Sequence, residues 1–126
     1  MGQAGDKKTI LLIEDDQDLA LSLAIYFKGH GYHVLAAYDA TFGIMSTHQS
    51  NIDLIILDIM LPGGGGVFVL DNLKKSVKTF DIPIIVMTAK IEPGLEQKCR
   101  EKGCREFFTK PCDTDKLLEA VKKIIG

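Results

Sequence analysis

The chain has 126 residues, 46% of them hydrophobic and 25% charged, with a formal net charge of -2 at pH 7. That balance is ordinary for one compact globular domain and offers no nucleic-acid or membrane surface by charge alone. No apolar run approaches the ~20 residues needed to span a bilayer, and the polar start (Met1 to Lys8) has no apolar signal core, so a cytoplasmic location is expected. Residues 1–8 read as a flexible arm ahead of a domain over 9–126.

Thr9 to Ile13 is a short β-branched, apolar run and predicts a first strand, with Glu14-Asp15-Asp16 at its end. Asp18 to Lys28 carries Leu19, Leu23, Tyr26 and Phe27 at helical spacing and stops at Gly29 to Gly31. His33 to Ala37 predicts a second strand. Asp39 suits the N-cap of a helix running to about Gln49. Leu54 to Leu57 predicts a third strand, buried on both faces, with Asp58 at its carboxyl end. Pro62 and the glycines Gly63 to Gly66 predict a loose loop, because glycine costs the most backbone entropy to order.

A helix is expected over Val67 to Val77, a fourth strand over Ile82 to Met87 ending at Thr88, and a helix over Pro93 to Lys102. Glu106 to Thr109 predicts a fifth strand ending at Lys110-Pro111, and Asp113 caps a last helix over Thr114 to Ile125. Five strands alternating with five helices predict an α/β fold: a five-stranded parallel sheet, doubly wound with helices on both faces. Right-handed crossovers then bring all five strand ends to one edge, where ligands bind in such sheets. Cys99, Cys104 and Cys112 form no CxxC pair and read as small, partly buried thiols. His30, His33 and His48 lack metal-ligand spacing and read as surface or loop residues.

At the predicted strand ends stand Glu14, Asp15 and Asp16, then Asp58, Thr88 and Lys110. Singly, each has a plain structural reading: an acidic helix start, a loop cap, a turn hydroxyl, a solvated amine. Their joint occurrence at four strand ends is what carries weight. Several carboxylates close together cannot all stay ionised without a cation, and an all-oxygen donor set favours a hard ion such as Mg²⁺. Pro111 holds Lys110 away from helical geometry, where its amine can neutralise an anion. An aspartate, a divalent cation, a lysine and a hydroxyl together suit a phosphoryl group carried on the aspartate.

Four stretches, in order, resemble the receiver domains of two-component response regulators, a family with a flavodoxin-like (βα)5 fold that includes the chemotaxis regulator. They are Ile10-Leu11-Leu12-Ile13-Glu14-Asp15-Asp16, Asp53 to Gly63, Ile84-Ile85-Val86-Met87-Thr88-Ala89 and Phe107-Phe108-Thr109-Lys110-Pro111. The resemblance implies that Asp58 is a phosphoacceptor taking its group from a phosphohistidine. It further implies that Asp15 and Asp58 bind Mg²⁺ directly, Glu14 through water, and the Met60 backbone carbonyl completes the protein ligands. Thr88 and Lys110 would contact phosphoryl oxygens, and Phe107 would change rotamer with phosphorylation. In the family's strand order Thr88 and Phe107 would sit at the ends of neighbouring outer strands. The implied partners are a sensor histidine kinase or histidine phosphotransfer protein, an output domain or effector protein, and a phosphorylation-dependent second copy, with no direct nucleic-acid or membrane contact. The implied role is signalling rather than metabolic catalysis, with self-catalysed phosphorylation and dephosphorylation.

Three departures stand out. Gly64, Gly65 and Gly66 stand where Met-Asp-Gly is common, Cys112 replaces an apolar aromatic, and Arg105-Glu106 replaces an acidic pair found in one DNA-binding branch. Two rival readings are weighed against this. An aspartate-nucleophile phosphatase wants a second aspartate two residues on, where Met60 stands. A flavodoxin-like binding module without phosphorylation wants a Thr/Ser-rich phosphate loop after the first strand, where the carboxylates stand instead. No output segment follows the last predicted helix here, which leaves a stand-alone regulator and a piece of a longer protein both open.

Overall fold

The computed structural model describes residues 7–61, 65–89 and 92–126. Most of the arm expected over 1–8, and Pro62, Gly63 and Gly64 of the expected loop, lie outside the described residues. The elements alternate as β1 (Thr9–Ile13), α1 (Gln17–Gly29), β2 (His33–Ala37), α2 (Ala40–Gln49), β3 (Leu54–Asp58), α3 (Gly65–Lys75), β4 (Ile84–Thr88), α4 (Leu95–Glu101), β5 (Glu106–Thr109) and α5 (Thr114–Ile125). All strand pairs are parallel, in the order β2-β1-β3-β4-β5.

The alternation of side chains along each strand builds two cores. On one face Ile10, Leu12, Leu54, Ile56, Ile85 and Met87 meet Leu23 and Phe27 of α1 and Leu117 and Val121 of α5. On the other, Leu11, Ile13, Ile55, Leu57, Ile84 and Val86 meet Val69, Leu70 and Leu73 of α3 and Leu95 and Cys99 of α4. β3 and β4 are buried at every position, as a strand covered on both faces must be. Among the described residues no helix is long and apolar enough to cross a membrane.

Several boundaries differ from the sequence expectation. α3 begins at Gly65, not Val67, so two residues of the expected loop are helical. It ends at Lys75 because the chain turns there: Thr79 and Phe80 both donate to the Ser76 carbonyl, and the buried Thr79 hydroxyl donates to the Leu73 carbonyl at 2.7 Å. β4 starts at Ile84 rather than Ile82, whose N–H is spent on the Thr79 carbonyl in that turn. α4 is shorter than expected, because Gly94 precedes it with φ 81, outside helical space, and gives no side-chain cap.

The strand order reverses at β1: the chain passes from β1 to β2 on one side, then returns to β3 on the other. A crevice forms at such a switch point, beyond the carboxyl ends of the two strands. Here those ends carry Glu14 and Asp58.

Candidate functional site

Glu14 leaves β1 with its N–H donated to the Ala37 carbonyl of β2 at 2.9 Å, which fixes the backbone at the sheet edge. Its side chain is 2% exposed. One carboxylate oxygen accepts from the Asp16 N–H at 3.0 Å and the other from Lys110 Nζ at 2.6 Å. Asp15 points outward and is exposed. Asp16 is the N-cap of α1, its carboxylate accepting from the Leu19 N–H at 3.1 Å, so its side chain is committed to the helix. The three adjacent acids therefore have three different environments.

Asp58 is the last residue of β3 and is buried. Its Oδ1 accepts from the Met60 N–H at 2.9 Å and its Oδ2 from Lys110 Nζ at 3.0 Å. Carboxylate oxygens of Glu14, Asp15 and Asp58 lie within 4.8 Å of one another. Lys110 is thus a bridge between two carboxylates that come from different strands. The lysine arrives there because the Lys110 N–H donates to the Thr88 carbonyl at 2.8 Å, extending the β4–β5 pairing by one residue, and a cis peptide to Pro111 follows.

Electrostatics follow from this geometry. Burial pushes the Glu14 carboxyl above its ordinary range, with the nearby Asp58 charge adding to it, although the Lys110 and Asp16 hydrogen bonds pull the other way. Burial is also the largest influence on Lys110 and works against its charge. The hydrogen bonds to Glu14 and Asp58 outweigh it, so the ammonium is held above its usual pKa. Among the described residues no buried side-chain oxygen or nitrogen lacks a hydrogen-bond partner. Hydrogen bonding in the cluster is complete, but three carboxylates face one ammonium. All the donors are oxygen, and one of them, Asp15, faces solvent, so the residues present fit a hard divalent cation.

Of the other expected site residues, Thr88 ends β4 and is fully buried, one position beyond the Met87 that pairs with Asp58. Met60 follows Asp58 in the exit turn with its side chain exposed. Phe107 departs from expectation. β4 is an inner strand, and Phe107 lies within β5, opposite Val86, not at its end. It is partly buried against the core on the α3–α4 face and lines a cavity of about 810 Å³ with Leu95, Arg100 and Thr109. Phe108, its neighbour, faces the α5 side instead.

Sequence reasoning missed two features. The Lys110 bridge to Glu14 is a tertiary contact across 96 residues and leaves no local trace. Gly66, expected in a loose loop, is buried in α3, with its N–H donated to the Ile59 carbonyl at 2.9 Å. The run of four glycines is the available signal, and at Gly66 it marks a close approach of backbone rather than flexibility.

The site stands at the β1/β3 switch point of a 2-1-3-4-5 sheet. The chain is 28% identical over 117 residues to the PilH protein of Pseudomonas aeruginosa, covering 93% of this chain and 97% of PilH. It is 33% identical over 118 residues to the phosphate regulon transcriptional regulatory protein PhoB of the same organism, covering 94% of this chain but 52% of PhoB, so it spans about half the length of that relative. A CheY-like response regulator receiver domain protein from Methanospirillum hungatei superposes with a TM-score of 0.88 at 24% identity, covering 94% of this chain and 93% of that one, which shows the shared fold. Residues 10–122, from the first strand to the last helix, match the response regulator receiver domain, and the chain belongs to that family.

Proposed function

We propose that Asp58 is the phosphoacceptor of this receiver domain and that its partner upstream is a histidine kinase or a histidine phosphotransfer protein. The observation that carries this is the Lys110 bridge: Nζ lies 3.0 Å from Asp58 and 2.6 Å from Glu14, beside Asp15. An Asp58 carboxylate oxygen attacks phosphorus, the bond between phosphorus and the donor imidazole nitrogen breaks, and the imidazole keeps that electron pair and takes a proton from water. An ammonium has three donors. Two go to Glu14 and Asp58, which leaves a third for a phosphoryl oxygen without giving up either carboxylate.

Asp15 and Asp58 would hold Mg²⁺ directly, Glu14 through water, and the Met60 carbonyl would complete the protein ligands. When bound, the ion supplies positive charge against the carboxylate and phosphoryl oxygens. Thr88 would meet a phosphoryl oxygen from β4. Its inward movement would make room for Phe107 beside that strand and so couple the site to the α4–β5 surface, where an effector or output domain would read the change.

Intact mass after incubation with acetyl phosphate and Mg²⁺ tests this. One added phosphate is expected on the wild type and none on Asp58→Asn; phosphate on that variant sinks the assignment.

A further inference from the structure

We infer that Gly66 is a positioning residue for the phosphoacceptor turn: its bare Cα lets the first turn of α3 rest on the backbone of Asp58 and Ile59, and that seating sets where the Asp58 carboxylate and Met60 lie. This rests on reading Asp58 as the phosphoacceptor.

A β-carbon at Gly66 would stand 2.4 Å from the Ile59 Cα, 2.5 Å from the Asp58 carbonyl oxygen and 2.9 Å from the Ile59 carbonyl carbon. Carbon atoms rest about 3.5 Å apart, so the shortfall is roughly 1 Å. All three obstacles are main-chain atoms, which cannot rotate away. Gly43 is the contrasting case: its β-carbon would meet the Ile13 Cδ1 at 2.7 Å, the free end of a side chain. Among the described glycines, Gly66 alone would put a β-carbon within 3.0 Å of backbone. Nor does Gly66 serve by backbone freedom, because its φ is not positive, unlike that of Gly65 at 79°. Space is the reason it must be glycine.

The displaced part would be the turn and not the helix. Behind Gly66, α3 is held in the core by Val69, Leu70 and Leu73, each at most 1% exposed. In front, the turn after β3 is held by two hydrogen bonds, Gly66 N–H to the Ile59 carbonyl and Met60 N–H to Asp58 Oδ1, both 2.9 Å. A β-carbon pressing on Ile59 strains both. A site that must hold its groups within about 0.5 Å cannot absorb a push of that size.

The test compares Gly66→Ala with Gly43→Ala and Leu73→Ala in the full chain. Leu73→Ala removes core packing from the same helix without adding a β-carbon at the contact. In metal-free protein, the Asp58 and Met60 amide resonances should move in Gly66→Ala and stay in the other two. Mg²⁺ titration followed by the same resonances should show at least tenfold weaker binding for Gly66→Ala and within twofold of wild type for both controls. Unmoved amides, Mg²⁺ affinity within twofold for Gly66→Ala, or equal weakening in Leu73→Ala would each overturn the inference. So would a Gly66→Ala chain that does not fold, since the glycine would then serve folding and not position. If the wild type takes no phosphate from acetyl phosphate, the phosphoacceptor reading alone falls, and the metal-free amide shifts still decide the role of Gly66.

Discussion

Replacing Lys110 with methionine keeps most of the apolar stem of the side chain and removes its charge and donors. Two carboxylates, Glu14 at 2% exposure and Asp58 at 4%, then face each other without a counter-charge. Removing one partner of a buried ion pair costs about 3–5 kcal/mol. Lys110 is itself 17% exposed, so the lower end, about 3 kcal/mol, is expected. Unfolding entropy near 60 °C is about 2.1 cal/mol/K per residue, which for 126 residues makes each kcal/mol worth roughly 4 °C. Lys110→Met in EDTA should therefore melt about 11 °C below wild type by circular dichroism. Adding Glu14→Gln should recover part of that loss, whereas Glu14→Gln alone should destabilise, because it removes a partner from the same bridge. Mg²⁺ should raise the melting temperature of Lys110→Met more than that of wild type, since it supplies the missing charge. A metal-free Lys110→Met protein melting within 2 °C of wild type would refute the reasoning, and so would a Glu14→Gln effect of the same sign and size in both backgrounds.

Asp15→Ala should weaken Mg²⁺ binding in a fluorescence or NMR titration, whereas Asp16→Ala should keep the affinity and lose about 1 kcal/mol of stability with its helix cap; equal losses of affinity would mean the metal is read one residue wrong. With the phosphoryl mimic beryllofluoride, the Phe107 ring resonances should shift in wild type and shift less in Thr88→Ala; equal shifts would put the coupling elsewhere. The Lys102–Asp71 pair, 2.8 Å apart and about a third exposed, joins the C-cap of α4 to α3, and its hydrogen bond holds the Asp71 carboxyl below its ordinary pKa. A depressed carboxyl contributes stability above its unfolded pKa and loses it as pH falls through the folded one. Asp71→Asn should thus cost a few tenths of a kcal/mol at pH 7 in urea melts and nothing at the acid end of the range, and a cost that persists there would rule out the ion pair as its source.

Much of the fold was legible because local chemistry and the global pattern agree. Thr9 to Ile13, His33 to Ala37 and Glu106 to Thr109 are strands at the bounds the sequence predicts. Asp39 and Asp113 cap their helices with the hydrogen bonds expected of them. The misses cluster where a tertiary contact overrides local preference. Ile82 is apolar and β-branched but spends its N–H in a turn. Gly65 and Gly66 are poor helix formers by propensity, yet α3 must begin there to reach the β3 backbone. For the site, residue types at strand ends point to Glu14, Asp15, Asp58 and Lys110, which the structure brings together, and to Thr88, which it places at the end of β4. They could not show that Lys110 ties Glu14 to Asp58, because strand order, not sequence distance, makes that contact. The expectation for Phe107 fails for a related reason: strand order and register put β4 inside the sheet and set Phe107 opposite Val86, within β5 and not at its end.

The site is also where the fold departs from its own rules. Elsewhere the buried positions of the sheet are apolar, and at its carboxyl edge two carboxylates are nearly as buried as the core. Hydrogen bonds make that tolerable. Glu14 accepts from a backbone N–H and an ammonium, and so does Asp58. A protein that needed only stability would do as well or better with apolar residues in place of such a bridge. The charge deficit that remains sits at the crevice mouth, with Asp15 exposed to solvent. It suits a divalent cation, and under the proposed function a phosphoryl group at Asp58 would meet a lysine already in place. Lys110 is anchored through its N–H to the Thr88 carbonyl at the end of β4, the link through which the proposed phosphoryl contact would act on that strand. The same strand pairs with β5, where Phe107 packs on the α3–α4 face of the sheet, so under the proposed function the surface formed by α4 and β5 is where a phosphorylated Asp58 would be felt.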